Sequence, residues 1–181
     1  YMTATRSIHN LALIGFMGTG KSCVGRVVAD VLHFTFLDTD RVIEARAGKK
    51  ISDIFAQDGE PAFRQWERQI VQELASRQKT VIATGGGLPA DPANLASLKT
   101  HALVVCLWAS PETIWEHVRG HNHRPLLQEA DPLAKIRQLL AAREPCYRQA
   151  DVLVNTEMRS VREVAQHVLH QFHLAQSARN Q

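Results

Sequence analysis

The chain has 181 residues, 45% hydrophobic and 22% charged, with a formal net charge of +3 when histidine is neutral. That size and balance predict one globular domain with a full α/β core. The weak positive excess, without a long basic block, argues against a nucleic-acid partner and suits small anionic substrates.

Apolar runs and helical patterns alternate along the chain. Ile8 to Ile14 reads as a buried strand, and Lys21 to about Leu32 as the helix that follows it. Phe34 to Leu37 is a short strand ending in Asp38-Thr39-Asp40, and short helices are expected over Arg41 to Ala47 and Ile51 to Gln57, broken by Gly48 and Gly59. Pro61 opens a longer helix in which Phe63, Trp66, Ile70 and Leu74 recur at spacings of three and four. Thr80 to Thr84 is a third strand, closed by Gly85-Gly86-Gly87. Leu103 to Trp108 is a fourth and Val152 to Val154 a fifth. Further helices are expected over Pro111 to Arg119, Pro132 to Arg143 and Ser160 to Phe172, before a polar, frayed tail over 175–181. Uniformly apolar strands separated by helices imply a parallel sheet covered on both faces. No run approaches the ~18 apolar residues of a membrane span, and no secretory leader is visible. Cys23, Cys106 and Cys146 form no C-x-x-C pair, so reduced thiols in a cytoplasmic protein are expected.

The run from Gly15 to Ser22, directly after the first strand, fits G-x-x-x-x-G-K-[ST]. Such a loop wraps backbone N–H groups around phosphate oxygens, and its glycines allow close approach and positive φ. Lys21 brings charge to the β- and γ-phosphates, Ser22 offers a hydroxyl to Mg²⁺, and the following helix points its positive end at the anion. A nucleoside triphosphate is therefore the expected ligand. Asp38 and Asp40, two apart at a strand end, direct their carboxylates to the same edge. One suits Mg²⁺ held through water and the other a substrate hydroxyl. The alternative is a turn in which Asp40 caps the next helix.

The loop Gly15 to Ser22, Asp38-Thr39-Asp40, Phe63-Arg64, Gly85-Gly86-Gly87, Arg124-Pro125-Leu126-Leu127 and Arg143 to Tyr147 follow one another in the order seen in shikimate kinases. The chain resembles that family from about Asn10 to Phe172. The resemblance implies one domain over 1–181, a three-layer α/β/α P-loop NTPase of nucleoside monophosphate kinase-like build around a five-stranded parallel sheet. It implies phosphorylation of the shikimate 3-hydroxyl by ATP with Mg²⁺, in a cytoplasmic enzyme expected to be monomeric. Asp38 and Ser22 would hold the metal, and Asp40 would bind the reacting hydroxyl. Arg64 and Arg143 would grip the substrate carboxylate beside Gly85, Gly86 and Gly87, a task that suits the planar guanidinium fork. Gly18, Thr19, Gly20, Lys21, Ser22 and Cys23 would contact the nucleotide, with Arg159 on its adenine side. Arg124, in a lid over about 120–131, would stabilise charge on the transferred group.

Blander readings stand beside these. Arg64 fits a surface pair with Glu60, Arg143 a solvated helix end, and the glycines a plain turn. The nine histidines include His117, His121 and His123 at the lid and His167, His170 and His173 along the last helix, which read as solvated residues rather than a zinc site. A gluconate kinase, a binding module that has lost catalysis, and a domain of a larger fusion enzyme remain as alternatives.

Overall fold

The apolar runs pair side by side and in one direction. The computed structural model describes residues 6–120 and 130–178. Its strands are β1 (Asn10–Ile14), β2 (Thr35–Asp38), β3 (Thr80–Ala83), β4 (Ala102–Trp108) and β5 (Val152–Asn155), all parallel, in the order β2-β3-β1-β4-β5. The helices are α1 (Lys21–Leu32), α2 (Thr39–Ala47), α3 (Ile51–Gln57), α4 (Glu60–Leu74), α5 (Pro92–His101), α6 (Pro111–Val118), α7 (Pro132–Tyr147) and α8 (Val161–Ser177). None is long and apolar enough to cross a membrane.

Strand alternation divides the core into two layers. Leu11 and Leu13 of β1 join Val24 and Val28 of α1 and Val168 and Phe172 of α8 on one face. Ala12 and Ile14 join Ile43, Ile54, Ile70, Leu98, Ile114 and Ile136 from α2 to α7 on the other. The result is the expected three-layer α/β/α arrangement. Because every strand runs the same way, the loops leaving β1, β2, β3 and β4 open on one edge, and they meet around central β1, where the chain switches sides.

Several elements depart from the expectation. Helix α5 was absent from the pattern, because two of its buried positions, Asn94 and His101, are polar and interrupt the apolar stripe. Helix α7 passes through Pro145 to Tyr147 instead of stopping at Arg143, and α8 continues to Ser177, past the start of the polar tail. Strand β2 ends at Asp38, and Asp40 already belongs to α2. The tip 179–181 and residues 121–129, with Arg124, His121, His123 and most of the expected lid, lie outside the described residues.

At the opposite edge, buried Asn10 joins three elements. Its Oδ1 accepts from the Thr80 N–H at 3.0 Å, which identifies the other end of the amide as the donor. That Nδ2 donates to the Arg77 carbonyl and to His101 Nδ1, each at 2.8 Å. Burial, with His9 nearby, holds the His101 pKa below the ordinary histidine value, in keeping with a neutral ring that accepts here. Asn10→Ala should leave these buried groups unpaired and lower the unfolding free energy by about 2–4 kcal/mol. Urea denaturation should show a lower midpoint with an unchanged slope; a midpoint equal to the parent's would contradict this account.

Candidate active site

The loop after β1 is shaped by its own backbone. Gly18 and Gly20 adopt left-handed φ values of 76° and 91°. Thr19 is buried, and its hydroxyl donates to the Phe16 carbonyl at 2.8 Å, so its side chain braces the turn. Gly20 is the N-cap of α1 and no side chain bonds across that cap, which leaves first-turn N–H groups for an anion. Lys21 Nζ donates to the carbonyls of Gly15 and Phe16 at 2.5 and 2.9 Å, holding the ammonium against the loop. A cavity of about 310 Å³ opens beside it, lined among others by Gly18, Thr19, Gly20, Cys23, His117, Thr156 and Arg159.

Asp38 stands next to this loop. Its Oδ2 accepts from Ser22 Oγ at 2.9 Å, and its Oδ1 accepts from the N–H groups of Asp40 and Arg41 at 3.0 and 3.3 Å. The cap of α2 is thus Asp38 and not Asp40. The two carboxylates are brought together by a strand-to-helix turn rather than by strand alternation. Asp40 lies in the first helical turn with Oδ1 buried and without a hydrogen-bond partner. Burial, then the neighbouring Asp38 charge, pushes its pKa up to about 6 against the pull of Lys21.

The glycine run after β3 closes the site. A Cβ on Gly85 would lie 2.5 Å from Asp40 Oδ1, one on Gly86 3.1 Å from Arg143 Nη1, and one on Gly87 2.7 Å from Arg64 Nη2. Each glycine thus makes room for one charged side chain. The Gly85 N–H donates to buried Thr39 Oγ1 at 3.0 Å, and Tyr147 Oη donates to the Gly86 carbonyl at 2.7 Å. A Cβ on Gly86 would also stand 3.7 Å from Gly15 O and Met17 N, so the two glycine-bearing loops are in contact. Arg143 lies over the Phe16 ring at 5.3 Å and Arg64 over Phe63 at 5.4 Å. Both guanidinium groups, with Gly87, line a second cavity of about 410 Å³.

Glu67 was missed by the sequence reading. It is 1% exposed and accepts from Arg64 Nη1 at 2.6 Å, while the anticipated Glu60–Arg64 pair is longer at 3.3 Å. Burial outweighs the pull of Arg64 and pushes the Glu67 pKa up to about 7. The signal was present: Phe63, Glu67, Ile70 and Leu74 form one buried stripe of α4, and a carboxylate on such a stripe needs a partner. Thr39 and Tyr147 left no comparable mark. Arg159 Nη1 lies 3.3 Å from His167 Nδ1 beside the first cavity, which also places one histidine of the last helix.

A family model described as shikimate kinase matches residues 17–173. The shikimate kinase of Thiobacillus denitrificans is 48% identical over 153 residues, covering 84% of each chain. That of Caldanaerobacter subterraneus is 41% identical over 162 residues, 90% of this chain and 95% of the relative. Among solved structures, a shikimate kinase from Acinetobacter baumannii in complex with shikimate superposes with a TM-score of 0.87 at 38% identity, covering 92% and 94% of the two chains. A gluconokinase from Sinorhizobium meliloti shares the fold alone, with a TM-score of 0.62 at 20% identity over 96% and 97% of the chains. With the phosphate loop, the paired aspartates and the glycine-seated arginines in place, the chain belongs to the shikimate kinase family.

Proposed function

We propose that this chain transfers the γ-phosphoryl group of ATP to the 3-hydroxyl of shikimate, giving shikimate 3-phosphate in the cytoplasmic route to aromatic amino acids. The observation that carries the reading is the juxtaposition of an orphaned, high-pKa carboxylate, Asp40, with the phosphate loop on one side and two guanidinium groups on the other. Arg64 and Arg143 pair with the acceptor carboxylate, and Glu67 holds Arg64 in line. Asp40 orients the nucleophilic hydroxyl and, when ionised, accepts its proton late in a loose transition state. Lys21 offsets charge growing on the phosphates.

The Ser22 hydroxyl and the Asp38 carboxylate, already hydrogen-bonded, are the hard oxygen donors that Mg²⁺ prefers. Among the described residues no three His, Cys, Asp or Glu are grouped for a metal, which suits a cation completed by phosphate oxygens and water rather than by a protein cage. Held there by Ser22 and Asp38, Mg²⁺ would supply positive charge against that developing on the phosphates. The backbone of Gly18 to Ser22 cradles the phosphates, while Cys23 and Arg159 flank the nucleotide. Arg124 supplies a cation to the transferred group.

A coupled assay of ADP release tests the reading directly. Shikimate should support turnover, whereas gluconate and nucleoside monophosphates should leave only background ATP hydrolysis. Turnover with gluconate and none with shikimate would replace the assignment.

The role of Asp40 has its own signature. Its ionised form is the active one and its pKa is raised to about 6, so kcat/KM for shikimate should fall as pH drops below about 6. An ordinary aspartate would place that limb near pH 4. Asp40→Asn should lower kcat by about 10²–10⁴-fold and abolish the acid limb, with KM for ATP little changed. A variant with nearly parental kcat would leave Asp40 a structural residue.

A further inference from the structure

The phosphate loop turns at a glycine whose carbonyl is met by a side chain from another element. Gly18 sits in the left-handed region at φ 76°, where a glycine changes conformation at little cost. A Cβ at that position would stand 2.8 Å from Val118 Cγ1 and 3.6 Å from His117 Cβ, so the loop packs directly on the last turn of α6. There His117 Nδ1 lies 2.8 Å from the Gly18 carbonyl oxygen. A carbonyl only accepts, so Nδ1 carries the proton and donates. His117 also lines the 310 Å³ cavity.

Resting on the reading of that cavity as the nucleotide site, we propose that His117 is a positioning residue for ATP, acting through the orientation of the peptide between Gly18 and Thr19. The chain contains no cis peptide among its described residues, and a trans peptide plane directs its N–H opposite to its C=O. Holding the Gly18 oxygen toward α6 therefore holds the Thr19 N–H away from α6, as a fixed donor of the loop. A flip of this plane would exchange that donor for an oxygen, a repulsive partner for phosphate. The Thr19 hydroxyl braces the same turn through the Phe16 carbonyl, and it leaves the Gly18 oxygen to His117. Helix α6 is a firm base for the contact. Ser110 caps it by accepting from the Thr113 N–H at 3.3 Å, and Glu157, just after β5, accepts from the Ser110 N–H at 2.7 Å and from Thr113 Oγ1 at 3.1 Å.

Three variants separate the hydrogen bond from the bulk of the ring. His117→Ala removes both, His117→Phe keeps the wall of the cavity, and His117→Asn restores an N–H donor at the position of Nδ1. Equilibrium binding of a fluorescent ATP analogue should weaken roughly three- to tenfold in His117→Ala and His117→Phe, the equivalent of one net hydrogen bond. KM for ATP should follow it. KM for shikimate, kcat and the melting temperature should stay within about 1.5-fold or a degree or so of the parent, because the ring is exposed and touches neither acceptor nor core. His117→Asn should recover most of the affinity. Parental affinity in His117→Phe, or failure of His117→Asn to improve on His117→Ala, overturns the proposal while the nucleotide reading stands. A parent protein that binds no nucleotide overturns both.

Discussion

Three charged side chains seated on three consecutive glycines hold the rest of the site in register. Asp40 arrives from α2, Arg64 from α4 and Arg143 from α7, elements that pack on one face of the sheet but are far apart in sequence. Their tips converge only because residues 85 to 87 occupy no side-chain volume. The glycine segment is itself pinned, by Thr39 on one side and Tyr147 on the other, and it touches the backbone of the phosphate loop. The groups proposed to bind the acceptor and the phosphates are thereby joined through backbone, the least compliant part of the molecule, which suits a reaction that depends on in-line alignment.

The same arrangement carries an energetic cost. Asp40 and Glu67 are buried deeply enough to raise both pKa values, to about 6 and about 7. In the sense of proton linkage, each group favours the folded state most below its ordinary carboxylate pKa, and that contribution is lost as pH rises through the raised value. Stability thus prefers these carboxyls protonated near neutrality, whereas the proposed chemistry needs Asp40 ionised. Burial of Glu67 is offset locally by the Arg64 ion pair, and the packed layers around β1 supply the remainder. A carboxylate buried at such a cost fits a role in positioning better than one in stability.

Much of this was legible in the sequence, and the reasons for the gaps are physical. The five strands and the phosphate loop stood out because strand interiors are uniformly apolar and the loop spacing is dictated by phosphate geometry. Asp38 and Asp40 were correctly drawn to one edge, but through the wrong local geometry: side-chain spacing does not say whether a strand has already become a helix. Helix α5 was hidden because its inward face carries Asn94, donating to the Leu88 carbonyl, and His101, bonded to Asn10, in place of apolar residues. Glu67 was visible as a charge on a buried stripe but is identified only once Arg64 is seen folding back onto it. His117 could not be told from its solvated neighbours, since the oxygen it binds lies 99 residues away in the chain.

Empty side-chain volume at the glycine run seats the charges proposed to bind the acceptor. Gly87 tests it most cleanly, because its φ of −94° is one that any residue adopts, so Gly87→Ala adds volume without backbone strain. The added methyl should displace the Arg64 guanidinium from Glu67 and raise KM for shikimate about tenfold or more, with KM for ATP and the unfolding midpoint close to parental. A variant whose KM for shikimate stays within about twofold of the parent, at equal stability, would show that the glycines do not seat these charges.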